Sequence, residues 1–185
     1  KTFKNPISLQ YLNSSNPEFQ YANVDQGTIG GIELELRKTL GFIAPAFDKF
    51  KISTNLTFIT STMDVIEQSG LEPESRPFEG QSPLLANLSL GYLNPDSKWD
   101  IQVSYNYTGE RLAVVGLNSP DIYERGLSTL DAVISKKLGN VSLKFAANNL
   151  LNPNYTTSSE YLGQEYLTRQ YKKGTSFVLS VAYEL

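Results

Sequence analysis

Between Trp99 and Thr108 every second residue is apolar: Trp99, Ile101, Val103, Tyr105 and Tyr107 alternate with Asp100, Gln102, Ser104, Asn106 and Thr108. A period of two belongs to an extended strand with one apolar and one polar face. The same division separates Ile32, Leu34 and Leu36 from Glu33, Glu35 and Arg37. It separates Ile52, Thr54, Leu56 and Phe58 from Lys51, Ser53, Asn55 and Thr57, and Leu84, Ala86, Leu88, Leu90 and Tyr92 from Asn87, Ser89 and Gly91. Three more strands are predicted over roughly 127–138 (Leu130, Ala132, Ile134), 141–150 (Val141, Leu143, Phe145, Ala147) and 175–185 (Phe177, Leu179, Val181, Tyr183, Leu185). A weaker eighth strand is predicted over about 2–10.

At about 9 to 13 residues these strands exceed the usual 5 or 6 of soluble sheets and match the length a tilted strand needs to cross hydrocarbon. Their connections alternate between long (about 11–26, 63–81, 109–126, 151–173) and short (about 41–48, Asn94 to Ser97, and Gly139-Asn140). Outer-membrane barrels carry short periplasmic turns and long extracellular loops, whereas a soluble sandwich has no reason to trim one end. The fold class predicted is therefore all-β: antiparallel, up-and-down transmembrane β-barrel strands, about eight of them. With the last strand ending in the periplasm, every long link lies outside.

On this reading Leu34, Leu56, Leu88, Ile101, Val103, Leu143, Phe145 and Val181 face lipid, while Glu35, Asn55, Gln102 and Asn106 face a lumen. Tyr92 and Trp99 flank one short turn and Tyr105 and Tyr107 approach the opposite end, the placement of an interfacial aromatic girdle. Ordinary cross-strand packing is the alternative for these rings.

Composition narrows the chemistry. Eleven tyrosines and nine phenylalanines among frequent Ser, Thr, Asn and Gly favour strands over helices. No run of 18 apolar residues predicts a membrane helix. No leader opens the chain, so the expectation is that a signal has been removed or that Lys1 is not the true N-terminus. A net charge of −3 without a clustered basic face argues against nucleic acid. The absence of cysteine and histidine removes disulfides, thiolate nucleophiles and the commonest general base and metal ligand. No Gly-rich phosphate loop and no G-x-S-x-G elbow are present. The chain is expected not to be an enzyme and to carry no cofactor. Asp64, Glu67, Glu72, Glu74 and Glu79 crowd one long link, but their spacing fits no Ca²⁺ loop and reads as a solvated acidic loop. The triplets at Asn55, Asn87, Asn106 and Asn140 sit in or beside strands and are read as accidental rather than as glycosylation sites.

Several stretches, in order, resemble one family. Gly30-Gly31-Ile32-Glu33-Leu34-Glu35-Leu36-Arg37, then Gly80-Gln81-Ser82-Pro83 leading into Leu84 to Tyr92, are similar to strands late in the barrels of TonB-dependent receptors. Tyr107-Thr108-Gly109-Glu110-Arg111 follows, and then Tyr123-Glu124-Arg125 leading into Leu130 to Lys137. Asn148-Asn149-Leu150-Leu151-Asn152 with Tyr155 resembles the N-L-(L/F)-(N/D)-x-x-Y stretch before the final loop and strand. The end, Phe177, Leu179, Val181, Tyr183 and Leu185, resembles the C-terminal signal by which outer-membrane proteins reach their assembly machinery, with Leu185 where that signal most often has Phe.

The resemblance covers nearly all of residues 1–185 and has the flavour of Bacteroidetes receptors. It implies the C-terminal third of a 22-stranded barrel whose plug domain and remaining strands lie elsewhere. It also implies a Gram-negative outer membrane, the barrel-assembly machinery and TonB as partners, and import of a siderophore, vitamin, glycan or similar nutrient. The family's ligand residues lie on plug apices and variable loops, so none is assigned here. Two other readings are open: a complete eight-stranded barrel acting as adhesin or anchor, and a secreted, carbohydrate-binding β-sandwich.

Overall fold

The computed structural model describes residues 1–12, 16, 18–65, 74–117 and 119–184. Its strands are β1 (Thr2–Lys4), β2 (Ile7–Leu12), β3 (Glu18–Asn23), β4 (Gln26–Thr39), β5 (Phe50–Val65), β6 (Glu74–Arg76), β7 (Leu84–Asn94) and β8 (Trp99–Thr108). They continue with β9 (Arg111–Leu117), β10 (Ile122–Glu124), β11 (Leu127–Leu138), β12 (Val141–Asn148), β13 (Asn154–Tyr161), β14 (Gln164–Lys172) and β15 (Ser176–Tyr183). Among the described residues no helix is long and apolar enough to cross a membrane.

The long sheet runs β1-β4-β5-β7-β8-β11-β12-β15, with β6 added on β5. All its pairings are antiparallel, and each long strand pairs with the next in sequence, as an up-and-down barrel wall requires. The sheet is open: β1 and β15 are its two ends, and β1 covers only the Gln26–Thr28 end of β4.

Register carries the alternation of single strands across the whole sheet. Leu36, Thr54, Leu88, Tyr105 and Leu130 form one row. Phe50, Tyr92, Ile101, Ile134, Phe145 and Leu179 form another on the same face. The opposite face carries the row Glu35, Asn55, Asn87, Asn106 and Thr129. A slip of one residue in any strand would turn its apolar set into the polar face, so the two-sided environment holds the register.

The turns follow from their residues. Asn94 Oδ1 accepts the backbone N–H groups of Asp96 (3.1 Å) and Ser97 (3.2 Å), closing the β7–β8 turn. Gly139, at φ 59°, supplies the left-handed residue of the β11–β12 turn. The link 40–49 folds as two short 3₁₀ turns, Leu40–Phe42 and Pro45–Phe47.

Three expectations are corrected. The strand expected over 2–10 is broken at Asn5-Pro6, where Asn5 takes φ 48°, so that β1 joins the long sheet and β2 leaves it. The strand expected over 141–150 stops at Asn148, because Asn149 (φ 57°) and Asn152 (φ 44°) turn a corner. Asn149 Nδ2 donates to the Gly174 carbonyl (2.7 Å) and Asn152 Oδ1 accepts the Gly174 N–H (3.1 Å), pinning that corner to the approach of β15. Most consequentially, the long links are not plain loops. They contribute a second sheet, ordered β14-β13-β10-β9-β2-β3 and antiparallel except where β2 lies parallel to β9.

The buried core lies at this loop end and not behind the long sheet. Val24, Met63, Val65, Leu112, Val115 and Leu117 are buried together, with Leu12, Phe78 and Tyr123 packed against them. A Cβ at Gly27 would fall 2.4 Å from the Phe78 ring, so a larger residue there would push that ring from its place against the core.

Candidate functional site

Three surfaces meet in the molecule: an apolar face and a polar face of the long sheet, and the loop sheet at the long-link end. On the apolar face the large side chains are open to the surroundings: Leu34 is 56 % exposed, Leu179 70 % and Val181 65 %. Leu34, Leu56, Leu88, Ile101, Val103, Leu143, Phe145 and Val181 all lie on it by strand register. Among the described residues no second sheet packs against this face.

The polar face is bound together by side-chain hydrogen bonds. Asn55 Nδ2 donates to Glu33, Thr57 Oγ1 to Asn55 Oδ1 (3.1 Å), Gln102 Nε2 to Ser104 Oγ (3.1 Å) and Asn106 Nδ2 to Thr129 Oγ1 (3.4 Å). Glu35 pairs with Arg37 at 2.5 Å. Glu35, Arg37, Asn55, Asn87 and Asn106 line an open cavity of about 150 Å³ on this face. The four residues expected to face a lumen, Glu35, Asn55, Gln102 and Asn106, are thus together on one polar side.

The loop sheet is held by ion pairs that the sequence did not single out. Arg76 Nε donates to Asp121 Oδ2 (2.7 Å) and Arg76 also pairs with Glu74 (2.7 Å). Arg111 pairs with Glu124 (2.9 Å). Arg125 joins Glu110 and Glu165 (2.6 Å to the latter), tying the β8–β9 connection to β14. The hydrogen bonds to Glu165 and Glu110 raise the Arg125 pKa, and bonds from Ser158 and Arg125 hold the Glu165 carboxyl below its usual range. Burial, with the charge of Asp121 beside it, pushes the Tyr123 phenol up.

Glu74 is paired with Arg76, Glu79 accepts a hydrogen bond from Ser8 (2.5 Å), and Glu67 and Glu72 lie outside the described residues. Among the described residues no three carboxylates converge.

A family model described as TonB dependent receptor-like, beta-barrel, matches residues 1–150. The chain belongs to this TonB-dependent receptor barrel family. Among solved structures the receptor barrel is similar to the copper transporter OprC, with 17 % identity over 98 % of this chain and 27 % of that one, at a TM-score of 0.66. It is also similar to the siderophore receptor PiuA from Acinetobacter baumannii, with 19 % identity over 98 % of this chain and 24 % of that one, at a TM-score of 0.61. At such identities the likeness speaks for the fold. The chain spans about a quarter of the length of the solved structures it matches. No curated protein matches the sequence.

Within the receptor barrel the four rings expected to form a girdle share the apolar face and divide between its ends. Tyr92 and Trp99 stand at the short-turn end, where Phe50 lies 4.9 Å from Tyr92 and Lys136 Nζ sits 4.4 Å over Trp99. Tyr105 and Tyr107 stand toward the loop end, and the Tyr105 hydroxyl bonds Ser128 Oγ at 2.8 Å. Phe47 and Phe50 extend the aromatic group at the short turns, their rings 6.0 Å apart, a pair visible in the sequence only as neighbours of a turn. At the C-terminal end Phe177, Leu179, Val181 and Tyr183 project from one face of β15 opposite Ala147, Phe145, Leu143 and Val141. Leu185 lies outside the described residues.

Proposed function

We propose that this chain is part of the wall of an outer-membrane importer: the C-terminal section, over residues 1–185, of a TonB-dependent receptor of Bacteroidetes type. The observation that carries this reading is the largely apolar face, which spans the long sheet row by row and is open to the surroundings. Such a surface in water would drive association, whereas in a bilayer it meets hydrocarbon. The polar face opposite then lines the lumen and meets a plug domain.

On this reading the short turns face the periplasm and the loop sheet faces outside, where it takes part in ligand capture. The imported nutrient would be a siderophore, vitamin, glycan or similar scarce compound, drawn in by energy passed through TonB and the plug. The wall itself contributes no chemistry and is not an enzyme. Insertion would depend on the barrel-assembly machinery, with Phe177, Leu179, Val181, Tyr183 and Leu185 as its signal. The open ends of the sheet argue against a self-closed eight-stranded adhesin, and the uncovered apolar face against a β-sandwich.

The test is membrane partition of this chain, refolded with and without detergent micelles and run on a gel with and without boiling. Dependence on detergent, with a mobility shift on heating, is the expected result. A chain that stays monomeric in plain buffer would sink the wall assignment.

A further inference from the structure

The strand path of the long sheet does not stop at its apolar rows. The Gly109 N–H donates to the Leu84 carbonyl (2.8 Å) and the Arg125 N–H to the Thr156 carbonyl (2.9 Å), so that β9, β10 and β13 carry on from β8, β11 and β12 after a short break. Which way their side chains turn follows from the core. Leu112 and Tyr123, paired in register, pack with Met63 and Val65, which share the polar face of β5 with Thr57 and Ser61. Their neighbours Arg111 and Glu124 therefore turn to the other side, the one that continues the apolar face.

That side carries a cluster of unusual chemistry for its place. Arg111, Glu124, Thr157 and Arg169 form one cross-strand row, and Tyr155 opposes Tyr171 in an adjoining row. The two tyrosine rings stack at 5.3 Å with 18° between planes. Arg169 lies 4.9 Å over Tyr171 and Lys173 Nζ lies 4.0 Å over Tyr155, so a cation sits against each ring. Together they line a cavity of about 300 Å³. Arg111 is neutralised by Glu124, but among the described residues neither Arg169 nor Lys173 has a carboxylate within 4.0 Å. Glu110 and Glu165 are engaged by Arg125, so the cluster keeps an excess of positive charge in a chain of net charge −3.

Position decides what such a cluster meets. From Phe177, on the apolar face, to Tyr171 the chain covers at most roughly 20 Å at about 3.3 Å per residue. We propose that Arg169, Lys173, Tyr155 and Tyr171 form a binding site for the phosphate groups of an outer-leaflet lipid, on the membrane-facing side of the loop sheet. This rests on the reading of the long sheet as a membrane wall. Tyrosines settle at headgroup depth, and paired basic side chains there recognise phosphate, with Arg offering two parallel donors. The stacked rings hold the two cations in place, so less side-chain freedom is lost on binding. A nutrient bound in the lumen would not reach this side of the sheet.

The experiment uses the natural receptor that carries this chain, extracted in detergent, with bound lipid read by native mass spectrometry. The probes are lipid A with its phosphates and lipid A stripped of them. The unaltered receptor should retain the phosphorylated form only, and the double variant Arg169→Gln, Lys173→Gln should bind it at least about tenfold more weakly. Arg169→Lys with Lys173→Arg should stay within about threefold. Heat-modifiable gel mobility checks folding; should the double variant lose it, the comparison of the two lipids on the unaltered receptor decides. Equal retention of both lipids, or equal retention by receptor and double variant, overturns the site. Displacement of the lipid by millimolar inorganic phosphate overturns its assignment to a lipid. A receptor that needs no detergent defeats the wall reading itself, whereas one that needs detergent and retains no lipid A defeats only the headgroup site.

Discussion

Gln102 and Val103 are adjacent in β8 and face opposite surroundings. Gln102 donates to Ser104 on the polar side, while Val103 stands in a row with Leu90 and Ala132 on the apolar side. An arginine at a lipid-facing midplane position costs about 2 to 4 kcal/mol, and one in an aqueous lumen costs little. Val103→Arg is therefore expected to lower unfolding stability in phospholipid vesicles by that amount, with Gln102→Arg nearly neutral. Equal losses in denaturant titrations of the two variants would contradict the assignment of faces.

Glu165 gives a second residue-scale expectation. Its folded pKa is depressed by hydrogen bonds from Ser158 and Arg125, so its contribution is present above the unfolded carboxylate value, about 4.3, and is lost as pH falls through the lower folded value. The β13–β14 hairpin should stay docked at neutral pH and through mild acid, loosening only below the ordinary carboxylate range. Proteolysis at the hairpin tip, Leu162-Gly163, reads this out, and Glu165→Gln should cleave faster at neutral pH and with a flatter acid response. An unchanged pH profile in that variant would exclude the contact as a tether.

At the scale of elements, the loop sheet depends on its small core. Leu112 is fully buried among Met63, Val115 and their neighbours, and truncation of such a side chain costs about 2 to 5 kcal/mol. Leu112→Ala should speed amide exchange in β2, β9 and β10 while leaving β8 and β11 protected. Uniform acceleration across both sheets would mean that they unfold as one unit. The seven long strands of the long sheet were readable from alternation because apolar and polar residues separate onto its two faces, whereas the strand expected over 2–10 was not. The loop sheet was not, because two of its joins, β2 to β9 and β10 to β13, link residues distant in sequence, and its strand β10 has only three residues. Two local signs did exist: the apolar run Leu112 to Leu117 inside a supposed loop, and Leu162-Gly163, both at positive φ, between stretches of alternating polar and aromatic residues. The pairs Arg76–Asp121, Arg111–Glu124 and Arg125–Glu165 had no such sign, since each joins two different segments of the chain.

At the scale of the whole molecule, two unpaired edges and a bare apolar face go together. From Gly30 onward one edge of β4 has no partner among the described residues, and one edge of β15 has none. In hydrocarbon each unmet backbone group costs several kcal/mol, so a sheet of this kind inside a bilayer requires strands on both sides. On the proposed reading as a membrane wall, the open ends and the quarter-length match to larger barrels call for the same neighbouring strands.

The parallel pairing of β2 with β9 sets an order of events. Hairpins of neighbouring strands close short loops and form early, whereas Gln10 meets Val115 only after most of the intervening wall is in place. Until that contact forms, Leu117 and Leu12 lack their shared cover. The β2–β3 hairpin is therefore the last piece to seat, a latch thrown across a finished frame, and a late folding phase should report on residues 7–12, 18–23 and 115–117 together.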